Sequence, residues 1–303
     1  MQYQLPTLII IAGPTAIGKT GVAINVARHF NTVILSADSR QCYKELNIGV
    51  ARPQEEELKA VPHYFIASHH IHDDINAGRY EKYALDLLKD LFALHPIVVV
   101  TGGTGLYIKA LVEGMDAMPE IPAEIRNNIL EGYKTFGISW LQQQLQLKDP
   151  EFASAGEMQN PQRMMRALEV AEATGRPGLS FRTVEKEKRR FNILQIALQM
   201  PREQLYDRIN LRVDAMMLAG LEDEARNLYP YRHKNALQTV GYKELFDYFD
   251  GSISKDEAVK LIKQHTRNYA KRQITWFKKQ KDIYAINVDE NIIAFIEKHL
   301  VEK

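Results

Sequence analysis

Leu8-Ile9-Ile10-Ile11-Ala12-Gly13-Pro14-Thr15-Ala16-Ile17-Gly18-Lys19-Thr20 is the stretch whose reading decides the fold. Leu8 to Ile11 is an unbroken apolar run, the pattern of a strand buried on both faces of a parallel sheet. Gly13 to Thr20 fits G-x-x-x-x-G-K-[ST], the phosphate-binding loop. Gly13 and Gly18 allow backbone angles that let the amides turn inward around anionic oxygens. Lys19 adds a full positive charge, and Thr20 offers a hydroxyl to a bound magnesium ion. Gly21 to Phe30 reads as a helix, so its N-terminal amides face the same anion. Strand, loop and helix in this order predict a phosphate-loop α/β fold that binds a diphosphate or triphosphate.

Composition sets the outer limits. With 303 residues, 45% of them apolar and 25% charged, the chain suits a globular core with room for a smaller insert. A net charge of +1 does not announce a nucleic-acid binder, so local charge has to be read instead. Cys42 is the sole cysteine, which excludes an intrachain disulfide and a cysteine-based zinc site. Met1 to Leu5 is too short and polar for a signal peptide, and no apolar run approaches the ~20 residues that span a bilayer. A cytoplasmic enzyme is the expectation.

Outward from the loop, strands and helices alternate. Thr32 to Ser36 reads as a second strand ending in Ala37-Asp38-Ser39-Arg40-Gln41. An acid at the carboxyl end of a strand, beside a phosphate loop, stands where α/β sheets bind ligands. Asp38 has two functional readings, a magnesium ligand or a general base, beside the plain one of a loop or helix-cap aspartate. His63, His69, His70 and His72 lack helical spacing, and the segment reads as an exposed loop rather than a metal site. Arg79 to Leu94 is an amphipathic helix, and Ile97 to Val100 is a third buried strand. Thr101-Gly102-Gly103-Thr104-Gly105 follows, a second glycine-rich turn that opens a helix at Leu106. Its place on the rim makes Thr104 a candidate hydrogen-bonding residue of the site; a tight turn alone is the plainer reading.

At Pro119 the alternation stops. Residues 119–190 read as a small helical insertion, with helices over 123–136, 138–147 and 161–174. The last has Asn160 as N-cap, Pro161 at its first position and Gly175 as its stop. Arg163 and Arg166 share a face of it, and Met164 belongs to its apolar side. A basic run, Arg182 to Arg190, ends the insertion. Phe191 to Met200 returns to strand, and 201–227 reads as one helix carrying Arg208 and Arg212 on one face. Gly241 marks a tight turn. Lys255 to Lys279 is a long helix with seven Lys/Arg and no acid between 260 and 279. Interleaved with Tyr269 and Trp276, these charges suit a nucleic-acid backbone and stacked bases; a solvated basic helix is the alternative.

Taken together, these stretches resemble the tRNA dimethylallyltransferase family, also called tRNA isopentenyltransferases. The matching pieces are Gly13 to Thr20, Asp38-Ser39-Arg40-Gln41-Cys42-Tyr43 and Gly102 to Tyr107. They continue with Asn160-Pro161-Gln162-Arg163, Arg166 to Val170, Gly241 to Glu244 and Tyr269 to Phe277. Departures are small: Ile17, Cys42 and Gly49-Val50-Ala51-Arg52-Pro53 replace a frequent Ser, a frequent Val and Gly-Thr-Ala-Lys-Pro. The resemblance implies a phosphate-loop core over 1–118 and 191–303 and a tRNA-contacting helical insertion over 119–190. It implies dimethylallyl diphosphate as donor, Mg²⁺ as cofactor, and an adenosine beside the anticodon of tRNA as acceptor. By the family pattern Gly13, Pro14, Thr15, Ala16, Ile17, Gly18, Lys19 and Thr20 bind the diphosphate with Arg212. Thr20 faces the metal, Asp38 is the base, and Thr104 positions it. tRNA contact falls to Asp38, Ser39, Arg40, Gln41, Thr104, Arg126, Gln162, Arg163, Met164, Met165, Arg166, Lys271 and Arg272. A monomer without membrane attachment is expected.

Three other readings stand against this one. A small-molecule kinase on the same fold would use ATP but has no need of the basic helix or the insertion. An isopentenyltransferase acting on free adenine nucleotides equally lacks a reason for a tRNA-gripping insert. An RNA-binding protein with a relic loop leaves Asp38 and Thr104 as accidents.

Overall fold

The computed structural model describes residues 5–181 and 188–301; the 182–187 part of the basic run lies outside the described residues. The described chain divides into two compact units, one formed by the segments up to Glu113 and from Lys188, the other by Gly114 onward to the edge of the basic run.

The first unit is built on six parallel strands: β1 (Thr7–Ala12), β2 (Ile34–Ser36), β3 (His63–Tyr64), β4 (Ile97–Gly102), β5 (Asn192–Gln199) and β6 (Tyr284–Asn287). Their order across the sheet is β3-β2-β4-β1-β5-β6. The apolar run of β1 lies at its centre because both faces need cover. Leu8, Ile10 and Ala12 enter one core while Ile9 and Ile11 enter the other. β4 repeats the division, its Val98 and Val100 registered against Leu8 and Ile10. The helices covering the two faces include α1 (Lys19–His29), α3 (Ala77–Leu94) and α4 (Gly105–Glu113), while the short α2 (Glu55–Ala60) buries no residue.

Several expectations are corrected here. The histidine segment is not all loop, since His63–Tyr64 pairs with β2 as an edge strand. Two residues carry too little pattern for a strand to be read from them. Among the described residues no cluster of three or more His, Cys, Asp or Glu side chains is placed to hold a metal ion.

The second unit packs α5 (Ala123–Lys148), α6 (Pro150–Ala155) and α7 (Pro161–Thr174) around Ile129, Leu141, Leu145, Phe152, Met164 and Leu168. α5 bends at Gly137, whose φ of 74° breaks the helical path between the two helices read from the sequence. α6, capped by the buried Asp149, was not anticipated. α7 runs between the Asn160 cap, whose side chain accepts from the Arg163 amide, and a left-handed Gly175.

Back in the first unit, the helix expected over 201–227 is two: α8 (Arg202–Leu218) and α9 (Leu221–Leu228). They part at Gly220, which has φ 98°. The turn at Gly241 is in fact the start of α10 (Tyr242–Phe249), before α11 (Lys255–Lys278) and α12 (Ile292–Val301). No helix among the described residues is long and apolar enough to cross a membrane.

Candidate active site

Three strand ends converge on one rim. The phosphate loop leaves β1, the Asp38 turn leaves β2, and the second glycine-rich loop leaves β4, all at the carboxyl edge where ligands of such sheets bind. A cavity of about 270 Å³ opens there, lined by Thr15, Ala16, Gly18, Lys19 and Thr20, by Asp38 and Gln41, and by Arg208, Arg212, Tyr269 and Gln273.

The phosphate loop supplies its charge and curvature. Gly13 and Gly18 have φ of 151° and 101°, and Ala16 joins them at 65°, a shape that turns successive amides to one side. The Lys19 ammonium donates to the Pro14 carbonyl (2.8 Å). Burial at the cavity floor pulls its pKa down to about 8, against the opposing pull of Asp38 and with Arg212 adding repulsion. Arg212 is likewise pushed below its ordinary range by burial, with Asp38 again favouring the charge. Cations held at a desolvation cost beside an anion cradle are primed for a polyanion.

Within the expected diphosphate set, Thr15, Ala16, Gly18, Lys19, Thr20 and Arg212 face this cavity. The others serve the loop's shape. Gly13 packs on Leu198, the Ile17 side chain is buried in the core, and Pro14 gives its carbonyl to Lys19. Pro14 and Ile17 also border a separate cavity of about 480 Å³ behind the loop, together with Lys271.

Asp38 is held by its own turn. Its Oδ1 accepts the amides of Arg40 (2.9 Å) and Gln41 (3.3 Å), and its Oδ2 takes no hydrogen bond from the described residues. The turn is tied to the next loop. The Ser39 amide donates to Thr104 Oγ1 (3.0 Å), and the Thr104 amide donates to the Ala37 carbonyl (3.2 Å). Thr104 thus reaches the Asp38 turn through Ser39. Tyr269 also lines the cavity, and burial pushes its phenol up to about 12 and so keeps it protonated. A second cavity of about 600 Å³ shares Thr15, Asp38, Val50, Arg212 and Tyr269 with the first and adds Ser39, Arg40 and Arg272. Its walls include Ile209, Val213, Met216 and Leu261, so the Asp38 carboxylate stands between a cationic chamber and a larger, partly apolar one.

A magnesium ion fits the residues present. Thr20 and Asp38 both line the cationic chamber, a sparse all-oxygen donor set. Mg²⁺ asks for little more, because it keeps waters and takes further oxygens from substrate phosphates.

Two residues to which the sequence reading gave no role in the site complete it. Arg208, one turn before Arg212, also faces the cavity. Gln273 is buried, accepts the Thr15 amide (2.8 Å) and donates to the Gly103 carbonyl (2.8 Å), tying the two glycine-rich loops through α11. The i,i+4 spacing pointed to Arg208. No local signal pointed to Gln273, whose partner is 258 residues away.

In the helical unit, Arg126 and Arg166 share the buried Glu169 carboxylate (3.5 and 3.1 Å), and Arg163 pairs with Glu157. Gln162 and Arg163 are exposed, and Met165 is half-buried. Met164 is corrected: at 0% exposure it fills that unit's core and cannot touch a nucleic acid. The basic helix is only partly solvated. Lys263 pairs with Asp214 (2.6 Å) and Arg267 with Asn210, whereas Lys271 and Arg272 are exposed, the latter over the Tyr269 ring.

Phosphate loop, buried cations and a carboxylate on the carboxyl rim of a parallel sheet define a phosphate-loop protein of the α/β class. Comparison with known proteins narrows this. The IPP transferase family model matches residues 41–280. A tRNA dimethylallyltransferase of Christiangramia forsetii is 49% identical over 293 residues, covering 96% of this chain and 97% of that one. One from Cytophaga hutchinsonii is 47% identical over 304 residues, covering all of both. The crystal structure of the tRNA isopentenylpyrophosphate transferase from Bacillus halodurans superposes with a TM-score of 0.72 at 33% identity, over 98% of this chain and 97% of that one. A eukaryotic dimethylallyltransferase acting on tRNA shares the fold, with a TM-score of 0.81 at 24% identity, 98% coverage of this chain and 80% of its own. The chain belongs to the IPP transferase family, a family of transferases.

Proposed function

We propose that this protein transfers the dimethylallyl group of dimethylallyl diphosphate to the exocyclic N6 amine of an adenosine beside the anticodon of tRNA, releasing diphosphate. The observation that carries the reading is the single carboxylate between two chambers. Asp38 faces the cationic cavity fit for a diphosphate and the larger one fit for an acceptor.

The loop amides, Lys19, Arg208 and Arg212 bind the donor's phosphates. As the C–N bond forms and the allylic C–O bond breaks, negative charge grows on the leaving diphosphate. Preorganised cations there supply the largest kind of catalytic stabilisation. The adenosine amine is a poor nucleophile because its lone pair is delocalised into the ring. Asp38 Oδ2 takes its proton, and the Arg40 and Gln41 amides hold the carboxylate in place through Oδ1. Thr104 is a positioning residue acting through Ser39. Thr20 would hold a magnesium ion, which when bound would supply further neutralisation of the diphosphate.

The acceptor base leaves the anticodon stack to reach the buried centre. Ser39, Arg40, Gln41, Lys271 and Arg272 contact the RNA around the site. Arg126, Gln162, Arg163, Met165 and Arg166 contact it from the helical unit. The protein acts as a cytoplasmic monomer in this reading.

The direct test supplies labelled dimethylallyl diphosphate with either bulk tRNA or AMP. Label is expected in tRNA, and label in AMP alone overturns the proposal. Neutralising Arg163 and Arg166 together tests the helical contact. Each lost phosphate contact removes roughly 0.7–0.9 from the slope of log affinity against log salt. An unchanged slope removes that face from the interface. The kinase alternative finds no support among the relatives, which are named as transferases of the dimethylallyl or isopentenyl group.

A further inference from the structure

We infer that Glu224, a carboxylate of α9 that lines neither chamber around Asp38, is a positioning residue that holds the acceptor wall and, through it, the base. The inference rests on Asp38 being the base in the reading above.

The wall is the loop from Asn47 to Ala51. It has no strand or helix of its own; turn bonds satisfy the Ala51 and Arg52 amides, and the amides of 47–49 need partners from elsewhere. Glu224 supplies them: its Oε2 accepts the amides of Asn47 (3.2 Å) and Ile48 (2.8 Å), and its Oε1 accepts the amide of Gly49 (2.9 Å). The buried Tyr242 hydroxyl donates to Oε1 as well (2.6 Å). Four hydrogen bonds on one carboxylate, each strengthened by its charge, are more than a surface acid ordinarily makes. Gly49 lies against the Tyr242 ring so closely that a Cβ there would stand 2.6 Å from it.

What this clamp holds is the site. Val50 and Ala51 line the cationic chamber, and Gly49 and Val50 line the larger one. The next link is Gln41, whose Nε2 donates to the carbonyls of Val50 (3.2 Å) and Ala51 (2.9 Å). The Gln41 amide in turn donates to Asp38 Oδ1. A continuous path therefore runs from Glu224 to the clamped loop, to Gln41, to the carboxylate that takes the proton. Misplacement of a reacting group by about 1 Å costs on the order of 10²-fold in rate.

Glu224→Gln keeps the shape, but turns one acceptor into an NH₂ that faces backbone donors. Gly49→Ala disturbs the same clamp from the loop side and leaves Glu224 untouched, so it serves where the first variant does not fold. Two measurements on a folded variant test the inference. In hydrogen exchange, which does not depend on what the acceptor is, the amides of Arg40 and Gln41 should exchange faster along with those of 47–49, while residues 13–20 keep their protection. Acceleration confined to 47–49 overturns the relay. In transfer to tRNA, kcat should fall on the order of 10²-fold with the Kd for dimethylallyl diphosphate unchanged. In an Asp38→Asn background the same substitution should cost almost nothing, because it acts through that base. Losses that multiply, or an undiminished kcat in the single variant, overturn the inference.

Discussion

Two glycine-rich turns leave neighbouring strands on the same rim, and they use glycine for opposite reasons. In the phosphate loop after β1, Gly13 and Gly18 adopt positive φ and curl the backbone into a cradle. After β4, Gly102, Gly103 and Gly105 have no positive φ; what they provide is room. A Cβ on Gly102 would meet the Ala37 backbone at 2.3 Å, one on Gly103 the Gln273 amide at 2.2 Å, and one on Gly105 the Trp276 indole at 2.2 Å. The first turn shapes a binding surface for charge. The second is a packing joint that seats the Asp38 turn and α11 against each other. Similar composition thus hides a division of labour: an anion cradle on one loop, the seat of the Asp38 turn on the other.

The largest expected effect tests the side of the base. Asp38→Asn keeps the shape and removes the proton acceptor, so transfer should fall by roughly 10²–10⁴-fold with both substrates still bound. A magnesium titration of the variant separates the roles, since rescue by excess metal would make Asp38 a ligand and dissolve the division. Lys19→Ala comes next, on the donor side. It removes a charge that counts most as diphosphate departs, for a loss on the order of 10²–10³-fold in kcat with tRNA affinity unchanged. A collapse of tRNA affinity with turnover intact would refute that assignment.

The same lysine makes a smaller prediction with pH. Its folded pKa of about 8 lies below the ordinary 10.5, so the charge is present below about 8 and is lost above it. An anion bound beside it restores the proton. Donor affinity should therefore weaken about tenfold per pH unit above 8, and binding there should take up a proton, both readable by calorimetry in buffers of different ionisation enthalpy. A flat profile between pH 8 and 9.5 contradicts this.

The smallest effects separate the two kinds of glycine by stability alone. Gly18→Ala should cost about 1–2 kcal/mol for the left-handed backbone, and Gly18→Asn less, because Asn tolerates that region. At Gly102 the order should reverse. Alanine costs about 1–3 kcal/mol by overpacking, and the larger Asn costs more. Thermal melts of the four variants decide it; Asn rescue at Gly102 would show that backbone freedom, not space, is what that loop needs.

How much was legible follows the same logic of locality. The strand, loop and helix around Gly13 to Thr20, and the span of α7 between Asn160 and Gly175, were readable because each rests on neighbours within a turn or two of chain. The Asp38 and Thr104 turns were readable as rim positions for a similar reason, each ending an apolar run. The sequence by itself therefore determined the fold class, the anion cradle and part of its lining. Only tertiary structure decided the two-residue strand β3, the break at Gly220 and the start of α10, where the local signal is a couple of residues or one glycine. It alone placed Met164 in a core, Gln273 between the two loops and Glu224 against the loop from Asn47 to Gly49. Gln273 and Glu224 act on backbone groups 170 or more positions away, and a hydrogen bond across that separation leaves no periodicity or spacing in the chain to read.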